Sequence, residues 1–252
     1  MIRNRLKELM DVRGLKATRI ANDINNLSRN TINSTVNNSG KMIQFETVNL
    51  LCQYLGVTPK DFFEYLPFDV SATVDADDDP IVDTPDYNEV PDNFYIKPFY
   101  LNLYLTKTSN NYSAGESKKT FELSVISDEK ILFRSSDEFG NNNFIMDVPS
   151  FKVVLGNPPI EENMKSQKES FFKFWNEDLT DGFRQVIQQK ITKSIYDYFS
   201  NFQSNNNYIE IPSYMSVIFP FGDFNSSYSE LNSGIVMTYK GGTYDYKGLL
   251  PF

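Results

Sequence analysis

The sequence predicts an all-α five-helix domain followed by an α+β, mostly antiparallel domain. Three observations carry this. Residues 2–67 space their apolar side chains three and four apart, between helix-start and glycine stop signals. Residues 67–93 hold nine acids and four prolines with no Lys or Arg. Residues 94–252 fall into short aromatic-rich runs, interrupted by one long stretch of helical period.

The first helix is expected over 2–13, with Ile2, Leu6, Leu9 and Met10 on one face and Gly14 as the stop. Leu15 opens a second segment, with Ile20, Ala21 and Ile24 inward. Asn25-Asn26 makes a turn in which Asn supplies any left-handed conformation. A fourth helix runs from about Gln44 to Leu55, with Phe45, Val48, Leu51, Cys52 and Leu55 inward and Gly56 at its end. Thr58-Pro59-Lys60-Asp61 restarts a helix: Thr at the N-cap, Pro where its missing N–H costs nothing, an acid in the first turn. Phe62, Phe63, Tyr65 and Leu66 follow.

The third helix is the chemically informative one. Ser28 is the N-cap, and Ile32 and Val36 face one way. Arg29, Asn30, Asn33 and Asn37 face the other, with the hydroxyls of Thr31 and Ser34 beside them. Short amides suit adenine and a guanidinium suits guanine, each through two hydrogen bonds. The bland reading is a solvated helix face rich in Asn. Charge does not exclude the first reading. The chain totals −9, yet residues 1–66 carry nine Lys/Arg against six Asp/Glu, a local +3. Attraction to a polyanion follows the local patch.

Several motifs recur in order: Leu-Lys-Glu-Leu at 6–9, Arg-Gly-Leu at 13–15, Ile-Ala at 20–21, Leu-Ser-x-x-Thr-Ile at 27–32, and Leu-Cys-x-x-Leu-Gly-Val-x-Pro-x-Asp-Phe at 51–62. On these, residues 2–67 resemble the Cro and lambda-repressor-like (XRE-type) helix-turn-helix regulators. The resemblance implies a lambda-repressor-like fold that lays residues 16–24 across the DNA backbone and 28–37 in the major groove. It implies double-stranded DNA as partner, two half-sites read by a dimer, and phosphate contacts near Arg19 and Lys41. Ala17 stands where the family has a polar amide, so that contact passes to Thr18 or Arg19. The expected DNA-binding set is therefore Thr18, Arg19, Ser28, Arg29, Asn30, Thr31, Asn33, Ser34, Asn37 and Lys41.

Residues 68–93 read as an acidic linker. The Asp75–Asp86 cluster has Pro80 where a calcium loop needs Gly, and it lacks the closing Glu. In 94–252, strands are expected at 94–105, 120–126, 130–134, 143–148, 151–155, 208–211 and 214–219, with a hairpin of 235–240 and 243–246. Phe172 to Phe202 reads as one long helix, or two broken near Asp181-Gly182. This domain is the expected seat of dimerisation and of control by a protein partner or ligand.

Enzymatic signals are absent from the sequence. There is no GxxxxGK[ST] loop and no GxSxG elbow, and His is missing altogether, so the usual Ser-His and Cys-His pairs are too. Ala114-Gly115 lacks the serine motif of self-cleaving repressors. Cys52 reads as a core thiol. The expectation is a cytoplasmic transcriptional regulator, a repressor of phage or mobile-element type, with no cofactor, no metal, no catalytic residue and no membrane span. The alternative is a protein-interaction module that uses the helix-turn-helix as a docking platform. An enzyme in 94–252, localised by DNA binding, is a third reading.

Overall fold

The computed structural model describes residues 1–38, 42–77, 82–83, 93–113, 115–127, 131–134, 150–205, 215–219, 235–238 and 243–245. Its first unit runs β1 (Ile2–Asn4), α1 (Leu6–Val12), α2 (Ala17–Asp23), α3 (Arg29–Val36), α4 (Phe45–Leu55), α5 (Pro59–Phe62) and β2 (Phe63–Tyr65). Two of the helices, α1 and α4, end at glycines in the left-handed region. Gly14, at φ 62°, lets Leu15 N–H return to Met10 O at 2.9 Å. Gly56, at φ 65°, does the same for Val57 N–H and Cys52 O at 3.0 Å, the Schellman pattern. Thr58 and Asp61 close a reciprocal capping box on α5. The core is Leu6, Met10, Ile20, Ile24, Leu27, Ile32, Val48, Leu51, Cys52, Leu55 and Phe62.

This unit is not all-α. Residues 2–4, expected in the first helix, form a strand paired antiparallel with β2, Ile2 against Tyr65 and Asn4 against Phe63. Ile2 lies exposed rather than in the core. A ladder partner satisfies backbone groups that a first helical turn would leave open. Arg5 is the N-cap of α1, and Asn4 just before it accepts from Leu6 N–H through Oδ1 at 3.0 Å. Phe63–Tyr65 likewise leaves the helical path after α5. Phe45, expected inward, is 94% exposed on the outer side of α4's first turn, whose Thr47 and Val48 are buried instead.

The second unit is a seven-stranded sheet covered by helices. Its strands are β3 (Asp69–Asp75), β6 (Phe99–Asn111), β7 (Gly115–Ser127), β9 (Ser150–Leu155), β10 (Ser216–Phe219), β11 (Ile235–Thr238) and β12 (Thr243–Asp245), in the order β12-β11-β10-β9-β7-β6-β3. Neighbours are antiparallel except β9 and β10, which run parallel. A parallel pair needs a crossover, and two helices supply it. These are α6 (Glu161–Phe172), continued by a π-helical turn at Lys173–Asp178, and α7 (Asp181–Asn205). A smaller sheet holds β4 (Val82–Asp83), β5 (Asn93–Ile96) and β8 (Ile131–Arg134). The expected strand 94–105 is thus two strands in two sheets, split at Lys97-Pro98. The expected strands 143–148 and 208–211 and residue Ala114 lie outside the described residues, as does most of the Asp75–Asp86 cluster.

Alternation decides the sheet's inner face. Leu101, Leu103 and Leu105 of β6 are buried with Phe121, Leu123 and Val125 of β7 and Phe151, Val153 and Leu155 of β9. From α7, Phe183, Ile187, Ile191, Ile195, Phe199 and Phe202 meet them at helical spacing. Aromatic pairs fill the ends: Phe121 stacks on Phe174 at 4.9 Å, Phe151 on Phe199 at 5.1 Å, and Phe171 on Trp175 at 5.7 Å between centroids. At the sheet's β3 edge, Lys190 Nζ donates to Val70 O at 2.8 Å and Ser194 Oγ to Ala72 O at 3.0 Å. Side chains of α7 thereby occupy acceptors that an edge strand otherwise offers to another chain.

Residues 69–75, inside the segment expected to link the domains, are a strand of the main sheet. The alternation Val70, Ala72, Val74 against Asp69, Ser71, Thr73, Asp75 is enough for a one-sided edge strand despite the acidic composition. The two cores are therefore nearly continuous: Phe62 belongs to the first, Leu66 and Phe68 to the second. Leu66 N–H donates to Met1 O at 2.8 Å, and the Met1 amino group donates to the Leu66 and Phe68 carbonyls, each at 2.7 Å. Arg3 sits at the seam. Its Nε donates to Glu64 Oε2 at 2.5 Å and its Nη1 to Glu8 Oε1 at 2.6 Å. The guanidinium also lies 5.6 Å from the centroid of Phe183 in α7.

Candidate nucleic-acid interface

The recognition surface rests on how α3 is held at both ends. At its start, Ser28 Oγ accepts from Thr31 N–H at 3.0 Å and pairs with Thr31 Oγ1 at 2.8 Å. Ser28 and Thr31 are thus engaged in the cap itself. Ile32 and Thr35 are buried, Val36 is half-buried, and this face fixes the helix's rotation. Arg29, Asn30, Asn33, Ser34 and Asn37 are consequently exposed together along one arc. Ser34 Oγ donates to Thr31 O at 2.9 Å. The arc presents amide donors and acceptors and one guanidinium, the groups that read base edges.

The preceding helix brings the backbone-contact candidates alongside. Thr18 and Arg19 are exposed on α2; Ala17 is half-buried against the first core. Arg19 Nε lies 3.7 Å from Asp23 Oδ2, a loose exposed pair. Asp23 is in turn held by Tyr54 from α4, whose hydroxyl donates to Oδ2 at 2.6 Å. That hydrogen bond raises the Tyr54 hydroxyl above its ordinary pKa. Sequence reading missed Asp23 and Tyr54, which lie thirty-one positions apart and meet only through packing. Between α2 and α3, Leu27 N–H reaches Ile24 O at 3.2 Å. Neither Asn25 nor Asn26 takes a positive φ, so the turn needs no left-handed residue. Lys41 lies outside the described residues.

The far end of α3 carries a second missed arrangement. Asn38, at φ 49°, turns its side chain onto β1. Its Oδ1 accepts from Asn4 N–H at 2.8 Å and its Nδ2 donates to Asn4 O at 3.1 Å, so one side-chain amide imitates a neighbouring strand. Asn4 Nδ2 also donates to Thr35 O at 2.8 Å, satisfying a terminal carbonyl of the helix. A left-handed Asn after a helix is legible as a cap signal; its partner thirty-four positions away is not. A cleft of about 470 Å³ opens beside this clasp, with Thr35, Asn38 and Met42 on one wall and Phe183, Val186 and Lys190 of α7 on the other. Burial lowers the Lys190 pKa, and Asp69 opposes that shift.

Two helices joined by a five-residue connection, with the second capped at both ends and polar along its outer arc, define a helix-turn-helix DNA reader. Residues 5–67, about a quarter of the chain, match the family model of the Cro/C1-type helix-turn-helix DNA-binding domain. This segment is therefore of the Cro/C1 (XRE) type, and the rest of the chain is not covered by that match. No curated protein and no solved structure matches the chain. Among the described residues, no helix is long and apolar enough to cross a membrane.

Proposed function

We propose that this protein is a sequence-specific transcriptional regulator acting as a repressor, with α3 in the major groove. The observation that carries it is the exposed arc of Arg29, Asn30, Asn33 and Asn37 on a helix whose rotation is fixed by buried Ile32 and Thr35. The basic balance of residues 1–66 supports it, although the whole chain is acidic. Thr18, Arg19 and Lys41 serve as phosphate contacts. The second unit, rather than catalysing a reaction, brings two copies together on two half-sites and receives the controlling partner or ligand. A cytoplasmic location suits such a protein.

The test is enrichment of duplexes from a random pool by the full-length chain, followed by affinity measured against salt. The expected result is one enriched motif, bound with a steep salt slope and well above random duplexes. A weak, flat salt response with no enriched motif would favour the docking-platform reading. Met42 and Phe45, three positions apart and both almost fully exposed, give that reading its footing.

A further inference from the structure

The strand β1 is clasped from both sides. Through Asn4 it holds the end of the recognition helix by the four hydrogen bonds with Asn38 and Thr35. Through Arg3, the next residue back, it reaches the first turn of α7. That contact is close. A Cβ placed on Gly182 would fall 1.8 Å from Arg3 Cζ and from Nη2. The guanidinium therefore occupies the space that a side chain at residue 182 would take. It is only 8% exposed, so it cannot swing freely away, and Glu8 and Glu64 hold its other edges. Across the cleft, α3 and α7 face one another with β1 at the base. The π-helical turn Lys173–Asp178 lies just before α7, and such turns recur at functional sites.

We infer that Arg3, Asn4 and Asn38 are positioning residues, which set the recognition helix relative to α7 so that the second unit controls DNA reading through β1. This rests on the DNA-reading role proposed above. The route is physical: a shift of the first turn of α7 moves the guanidinium, the guanidinium moves β1, and Asn4 carries the end of α3 with it. No flexible spacer absorbs the motion, since β2 leads straight into Leu66 and β3. Control by a partner or ligand on the second unit thus needs no contact with the DNA-facing side chains. It needs only to alter where α7 begins.

The experiment uses the full-length chain and the substitutions Gly182→Ala and Asn38→Gly. Alanine favours a helix, so Gly182→Ala leaves α7 intact and displaces only Arg3. Glycine accepts the positive φ at residue 38, so Asn38→Gly removes the clasp without backbone strain. Each variant is measured for melting temperature, for affinity to the enriched motif and to random duplexes, and for amide exchange over residues 33–38. The expected result is faster exchange over residues 33–38 in both variants, motif affinity reduced roughly three- to thirtyfold with random-duplex affinity nearly unchanged, and a melting temperature lowered by the lost pairs but still a single folded transition. The double variant should lose no more than the worse single one, because both act on one strand. Loss of motif and random binding alike would mean a merely structural role and overturn the inference. Unchanged exchange over 33–38 in Gly182→Ala overturns it whatever the DNA measurements show. If the unsubstituted chain enriches no motif, the DNA reading fails instead, and the exchange arm still decides the coupling.

Discussion

The helical unit and the sheet unit spend their sequences differently. In the first, the core is ten aliphatic or sulfur side chains and one ring, Phe62, and the distinctive residues lie on the outside. In the second, the distinctive residues are inside: among the described residues, ten of its buried side chains are Phe or Trp, packed between sheet and helix. A surface that must match a ligand constrains particular residues at particular turns. A core needs apolar volume and alternation, which many sequences satisfy. That is why short motifs identify residues 5–67 while the larger unit lies outside that match.

The comparison can be broken most sharply in the cores. Phe174→Ala removes a ring packed on Phe68, Phe121, Phe171 and Trp175 and should cost about 3–5 kcal/mol; Ile32→Ala, a smaller deletion, should cost about 2–5 kcal/mol. Urea unfolding followed by Trp175 fluorescence and by helical circular dichroism should show one shared transition in both variants, because β1 ties the units. Two separated transitions would show that the units unfold independently.

On the exposed arc of α3 the expectation reverses. Arg29→Ala and Asn33→Ala should each weaken motif binding by about 1–3 kcal/mol and leave the melting temperature where it was. Full motif affinity in both variants would mean that α3 presents another face. Arg19→Ala and Lys41→Ala should weaken all duplexes alike and lower the salt slope by about one unit each. An unaltered slope would make them ordinary surface charges.

Smallest of all is the capping box. Hydrogen bonds from the Thr58 hydroxyl and amide hold Asp61 below the ordinary carboxylate range. A lowered folded-state pKa adds stability above the unfolded value and loses it as pH falls through the folded one. The acid-unfolding curve should therefore separate from that of Asp61→Asn above about pH 4 and converge with it below. The carboxylate is fully exposed, so the separation should be slight. Curves that stay apart at low pH would assign the difference to some other effect of the substitution.

What the sequence determined by itself is local. Ser28 caps α3, Gly56 ends α4, and Thr58-Pro59-Lys60-Asp61 starts α5, because each depends on residues within one helical turn. The Ile32 side of α3 is buried for the same reason, and β9, β10 and the β11–β12 hairpin follow from short apolar runs. What only the tertiary structure decided is what distant residues do to one another. Ile2, Arg3 and Asn4 read as the first turn of a helix until a strand sixty residues away offers them a ladder. Asp69–Asp75 reads as linker until β6 pairs with it. Arg3 looked like one basic residue among nine. It became the seam between two cores once Glu8, Glu64, Gly182 and Phe183 closed around it, and no local spacing encodes a meeting of residues up to 180 positions apart.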